Sequence, residues 1–155
     1  MALDKILFVF PLLLLLAPAC FPQTVKKALS AKVEHSTLEQ PGKSSLAYAE
    51  ILLRKTELQA DVESLVLEYT EEYPKVVEIR YLISALQKES ERILAVRPAE
   101  SSKLTWALGK LLVRKAELET DLWQLLRIYK EDHPDAKRAK RKVDIYEAAI
   151  KEILG

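Results

Sequence analysis

LRKTELQADVESLVLEYTEEYP, residues 53–74, recurs sixty residues later without a gap as VRKAELETDLWQLLRIYKEDHP, residues 113–134. Laying 43–95 on 103–155 keeps fourteen of fifty-three positions identical, among them Arg54, Lys55, Leu58, Leu65, Tyr69 and Pro74. Most of the remaining core positions stay apolar. The chain is therefore the product of an internal duplication, and each copy must fold in the same way.

The apolar spacing within a copy decides what that fold is. In the first copy Ile51, Leu58 and Leu65 recur every seven residues, with Tyr48, Val62 and Tyr69 three or four positions away and Leu52 and Val66 broadening the stripe. One apolar seam at this period belongs to a helix. The spacing predicts a helix over residues 43–72, whose ~28 helical residues would span roughly 42 Å. It has to stop near Tyr73, because a residue before proline is pushed out of the α region, whereas proline suits the first turn of a new helix. From Pro74 the seam resumes as Val76, Ile79, Ile83, Leu86, Ser90 and Ile93, so a return helix is expected.

The second copy repeats the pattern after a break at Arg97-Pro98-Ala99-Glu100-Ser101-Ser102. Its outgoing seam is Leu108, Leu111, Leu118, Leu122, Leu125 and Tyr129, and its return seam is Ala136, Ala139, Val143, Tyr146, Ile150 and Ile153. The expected fold is all-α, with two tandem antiparallel helical hairpins at 43–97 and 98–155. Leu53, Leu67, Val77, Tyr81, Leu82, Trp106, Val113, Trp123 and Ile128 lie off the seams, and a two-stranded hairpin cannot bury them all. Either the hairpins pack as a four-helix bundle, which is the expectation, or these residues face another chain. Leu82, Trp106 and Trp123 are the candidate partner-binding residues.

Lys55 and Lys115 interrupt the seams at equivalent positions. Folding the first hairpin about residue 73 brings Lys55 near Glu91, so a snorkelling lysine paired across the hairpin is expected. Arg54 with Glu57, and Glu50 with Arg54, have the spacing of helix-surface ion pairs.

The amino terminus has a different character. Residues 6–19, ILFVFPLLLLLAPA, form an apolar run too short to span a bilayer, which takes about 20 residues, and it ends in the small-residue pattern of a signal-peptidase site. Residues 1–19 are read as a signal peptide, which makes the protein exported, either periplasmic or secreted. Cys20, the sole cysteine, follows directly. Two readings stand for it: lipidation, which would hold the protein on a membrane surface, or simple exposure by cleavage. With one cysteine no intrachain disulfide can form. Residues 20–42 are polar on balance and end in Gln-Pro-Gly, a tether in which Val25, Leu29 and Val33 have helical spacing.

Composition narrows the function classes. Three glycines in 155 residues leave no phosphate-cradling loop. The two histidines, His35 and His133, are far apart, and no paired carboxylates sit in an apolar stretch. A non-enzymatic protein without cofactor or metal is expected. His133 lies beside Glu131 and Asp132, but Tyr73 occupies its place in the first copy, so the turn does not require imidazole. Residues 43–97 carry 8 Lys/Arg against 10 Asp/Glu and residues 98–155 carry 12 against 10, a near-neutral balance that weighs against a nucleic-acid binder. Lys137, Arg138, Lys140, Arg141 and Lys142 form a basic run absent from the first copy. It is either a solvated helix face or a site for an anionic polymer or lipid.

The run Leu-x-x-x-Tyr-x-x-x-[Tyr/His]-Pro, at Leu65–Pro74 and Leu125–Pro134, followed by a heptad helix, resembles the periplasmic coiled-coil hairpin of bacterial polysaccharide chain-length determinants. The resemblance covers each hairpin alone and implies a bacterial envelope setting; it does not carry over glycan-length control. The functional expectation is an exported helical-hairpin scaffold or adaptor that binds a protein partner or itself through apolar helix faces. The alternative is a surface-binding module that holds an anionic polymer or lipid on 137–142.

Overall fold

The structure, a computed structural model, describes residues 42–155. The signal peptide, Cys20, His35 and residues 20–41 of the tether lie outside the described residues. The fold is all-α. Helices α1 (Leu46–Val66), α2 (Pro74–Leu94), α3 (Trp106–Leu126) and α4 (Pro134–Leu154) are joined by two turns and a short 3-10 segment, Pro98–Lys103. Each of the four is 21 residues long, and α3 and α4 begin and end sixty positions after α1 and α2. The duplication seen in the sequence is thus a duplication of structure.

The two copies also use the same local devices. Ser45 caps α1 by accepting from the Tyr48 N–H, and its counterpart Thr105 caps α3 by accepting from Leu108. Each such cap is worth about 1 kcal/mol. Pro74 and Pro134 open the return helices, where their missing N–H costs nothing.

The first helix is shorter than its seam implies. It ends at Val66 rather than at residue 72, giving roughly 31 Å instead of 42 Å. The Leu65 carbonyl accepts from both Glu68 (3.1 Å) and Tyr69 (2.8 Å), and Tyr73 N–H closes a further turn onto Thr70 (3.0 Å). Tyr69 and Tyr73 then stack with ring centroids 4.3 Å apart. In the second copy Tyr129 and His133 stack in the same way at 4.1 Å, and His133 Nδ1 accepts from the Asp135 N–H at the start of α4. The Tyr-x-x-x-[Tyr/His]-Pro motif is therefore a turn clamp, and Tyr69 and Tyr129 are 45% and 41% exposed rather than core. Ring pairs contribute about 0.5–1.5 kcal/mol, so Tyr69→Ala is expected to lower stability in urea unfolding by about 1 kcal/mol. Tyr69→Phe should leave it nearly unchanged.

Helix α3 is the spine. It packs against α1, α2 and α4, and α1 also packs on α2, whereas α1 and α4 lie on different sides of it. Glu50 on α1 meets Trp106, and Arg54 meets Glu117, so α1 and α3 run in the same direction. Tyr81 meets Trp123 and Glu89 meets Lys115, so α2 runs against α3. Both hairpin turns consequently lie at one end of the body. The core contains Ile51, Leu58, Val76, Ile79, Leu86, Ile93, Leu108, Leu112 and Ile150.

The close crossing of α1 and α3 depends on Gly109. A Cβ there would stand 2.9 Å from the Ala47 Cα, the Ala47 carbonyl oxygen and the Glu50 Cβ. The approach is fixed on one side by the Ala47 N–H, which donates to the Leu104 carbonyl at 3.3 Å. The tether's last residue, Gly42, is buried against the carboxyl end of α2 and accepts hydrogen bonds from Ser45 through both its N–H and its hydroxyl.

Candidate functional site

Two seam lysines occupy equivalent places and meet different fates. Lys55 does not pair with Glu91; its ammonium donates to Gln87 Oε1 at 2.6 Å, and Gln87 in turn donates to Glu91. At the equivalent contact Lys115 stands 3.4 Å from Glu147, the counterpart of Gln87. Lys115 is also bonded to Glu89 of the first hairpin at 2.6 Å and to Glu119 at 3.0 Å. Arg92 reaches Glu147 with both terminal guanidinium nitrogens, at 3.1 and 3.2 Å, and completes a network that joins the hairpins. Burial alone would pull the Lys115 pKa down, but hydrogen bonds and attraction from Glu89 and Glu119 outweigh it and leave it raised. Glu147 ends up lowered, because Arg92 and Lys115 overcome its desolvation.

The cluster links α2, α3 and α4 across the two hairpins. Among the described residues no group of three or more His, Cys, Asp or Glu is placed to hold a metal ion. His133 is held between the Tyr129 ring and the Asp135 N–H. No helix among the described residues is long and apolar enough to cross a membrane.

The three candidate partner-binding residues have separate environments. Leu82 is only 8% exposed and belongs to the core; it lies off the seam of its own hairpin because it packs toward the other one. Trp123 is half-buried, with Tyr81 stacked on one side at 4.4 Å and the Arg127 guanidinium 5.0 Å from its ring centre. Burial and, secondarily, Glu119 push the Tyr81 hydroxyl pKa up. Trp106 is 52% exposed, yet its indole N–H donates to Glu50 at 3.0 Å and Lys110 sits over its ring. Both tryptophans therefore contact the first hairpin. The expected Glu50–Arg54 surface pair is absent because Glu50 is taken by Trp106 and Arg54 pairs with Glu57 and Glu117.

The open apolar surface lies elsewhere, on α1. Leu46, Ala49, Leu53, Thr56, Ala60, Glu63 and Leu67, spaced alternately three and four, are all exposed, with Leu46, Leu53 and Leu67 at 64%, 58% and 86%. This is a second heptad stripe turned away from the core. Leu53 and Leu67 are legible in the sequence as off-seam residues, but the continuous stripe is not, because Thr56 and Glu63 interrupt its apolar pattern. The basic run on α4 is wholly exposed: Arg138 pairs with Asp135, while Lys137, Lys140, Arg141 and Lys142 have no partner among the described residues. Ile145 lies on the same helix, 65% exposed.

Comparison with known proteins places the chain in no described group: no family model, no curated protein and no solved structure matches it.

Proposed function

We propose that the protein is an exported, non-enzymatic helical scaffold or adaptor of the bacterial cell envelope that binds a protein partner through the α1 stripe. One observation carries this reading. The stripe of Leu46, Leu53 and Leu67 leaves large apolar side chains exposed along the whole length of α1, while Val113, at the place on α3 equivalent to Leu53, is partly buried. A stripe of this kind normally marks a contact surface. The signal-like amino terminus and the resemblance of each hairpin to periplasmic coiled-coil hairpins support the envelope setting.

A photo-crosslinking residue at position 53, used in the native envelope, is expected to give discrete protein adducts that resist salt and vanish when Leu46 and Leu67 are changed to Asp. Absence of adducts, or adducts indifferent to those changes, would refute the reading. Mass analysis of the mature amino terminus distinguishes a lipidated Cys20 from a bare one.

The second reading rests on the unpartnered cations of α4. If Lys137, Arg138, Lys140, Arg141 and Lys142 hold an anionic polymer or lipid, binding to anionic vesicles should fall steeply between low salt and about 0.5 M salt. Lys140→Glu with Arg141→Glu should abolish it.

A further inference from the structure

The duplication supplies a template for what the α1 stripe could hold. In the second copy the equivalent stripe on α3 runs through Trp106, Gly109, Val113, Ala116, Thr120 and Trp123. Gly109, Ala116 and Thr120 are buried there, Val113 and Trp123 partly so, and the first hairpin lies along them. One hairpin thus already uses this face as a docking surface for another hairpin of the same kind. The first hairpin keeps the same face, and among the described residues no helix lies on it.

The docking partner is duplicated too. The first hairpin grips α3 with Ala47, Glu50, Arg54, Tyr81 and Ala85. Their counterparts in the second hairpin are Ala107, Lys110, Arg114, Arg141 and Ile145, and every one of them is exposed. Each molecule therefore has one open socket, on α1, and one open plug, on α3 and α4.

We propose that the occupant of the α1 stripe is a second copy of this chain, seated by the α3 and α4 face of its second hairpin as the first hairpin is seated on α3 within one molecule. The inference rests on the adaptor reading of α1 and names its partner.

The ionic contacts carry over best. Shifting the internal contacts by sixty residues turns the Arg54–Glu117 ion pair into Arg114 against Glu57, which preserves it in sign and spacing. The Tyr81–Trp123 stack becomes Arg141 against Glu63, a stack replaced by opposite charges. Neither Arg141 nor Glu63 has a partner among the described residues. The close crossing of Ala47 on Gly109 becomes Ala107 on Ala49, whose methyl group requires the two helices to stand further apart there than α1 and α3 do. The buried Glu89–Lys115 pair becomes Ala149 against Lys55, which loses the ion pair and leaves the Lys55 ammonium with the neutral Gln87 amide as its hydrogen-bond partner. Arg141 and Lys142 of the basic run then face the acidic side of α1, a role that needs no anionic polymer.

Socket and plug are different patches, so the contact is heterologous and repeats from copy to copy, closing into a ring or continuing as a filament. Sedimentation velocity on the full mature chain tests this. The wild type should show species that grow with concentration over the micromolar range. Leu53→Asp, which spoils the socket, and Ile145→Asp, which spoils the plug, should each remain monomeric and, both positions being exposed, retain helical circular dichroism. An equimolar mixture of the two variants retains one good socket and one good plug and should form a dimer and nothing larger. As a second check, Glu63→Arg or Arg141→Glu alone should weaken assembly about tenfold, and the two together should restore it. A wild type that stays monomeric up to about 100 µM, or a mixture that yields no dimer, overturns the inference. A monomeric wild type that still loses its envelope adducts on altering the α1 stripe would overturn self-assembly and leave the adaptor reading standing.

Discussion

Lys115→Met is expected to destabilise the protein by about 3–5 kcal/mol, the largest effect of any single change at a polar position. Lys115 is the partner of Glu89 at 2.6 Å, and the Glu89 side chain is only 6% exposed, with its second oxygen lacking a hydrogen bond and the Arg92 guanidinium 3.8 Å away. Removing the ammonium leaves a buried carboxylate between two hairpins with Arg92, at 3.8 Å, as its only remaining ion-pair partner among the described residues. Replacing both partners by Lys115→Met and Glu89→Leu should recover most of the loss, because desolvation of two charges roughly cancels the attraction between them. Urea unfolding of the two singles and the double closes the cycle, and a double variant as unstable as the singles would contradict this arrangement.

The same cluster sets a pH window. Lys115 has a raised pKa when folded, so its contribution is fully present below the ordinary lysine value of about 10.4 and is lost as pH rises through the higher folded value. Glu147 has a lowered pKa, so its contribution is present above about 4.3 and is lost as pH falls through the lower folded value. Stability from these two groups should be level from about pH 5 to pH 10 and decline outside it.

Gly109 is the second position where a small change should have a large effect. Alanine is the better helix former by about 1 kcal/mol, so at an ordinary position Gly→Ala would stabilise. Here the added methyl meets backbone of α1 at 2.9 Å, and backbone cannot rotate away as a side chain can. Overpacking costs about 1–3 kcal/mol, so Gly109→Ala should be net destabilising by about 1 kcal/mol and Gly109→Leu by about 3 kcal/mol or more. Ala49→Gly at the equivalent place on α1 is the control: it faces water and should lose only helix propensity, about 1 kcal/mol, without disturbing the packing.

Much of this fold was legible in the heptad spacing. Ile51, Leu58, Val62, Val76, Ile79, Leu86, Ile93, Leu108, Leu118 and Ile150 are seam residues in the sequence and buried in the structure. The end of α1 was not legible, because Tyr69 and Tyr73 are four apart, the spacing of a helical seam, while the backbone beneath them has already left the helix. Periodicity cannot distinguish a stack in a turn from a stripe on a helix.

The packing between hairpins was harder to read. Leu82 looked superfluous within its own hairpin because the residues that bury it come from another one. Glu89 likewise lies twenty-six residues from Lys115, and no local rule pairs them. Gly109 did carry a signal: a glycine inside a helical pattern costs stability unless something comes close, and here α1 does. Of the α1 stripe, only Leu53 and Leu67 were legible in the sequence, as apolar residues off the seam. Only the duplicated structure shows that its twin on α3 is covered.

That asymmetry can be measured directly by thiol labelling in a Cys20→Ser background, at a concentration where the protein sediments as a monomer. Thr56 and Ala116 are equivalent positions; the first is exposed and the second is 0% exposed. A cysteine at 56 should react at the rate of a free thiol, and one at 116 at least about a hundredfold more slowly, through opening of the body. Equal rates at the two positions would mean that the first hairpin does not lie on α3, and would contradict both the fold and the docking surface derived from it.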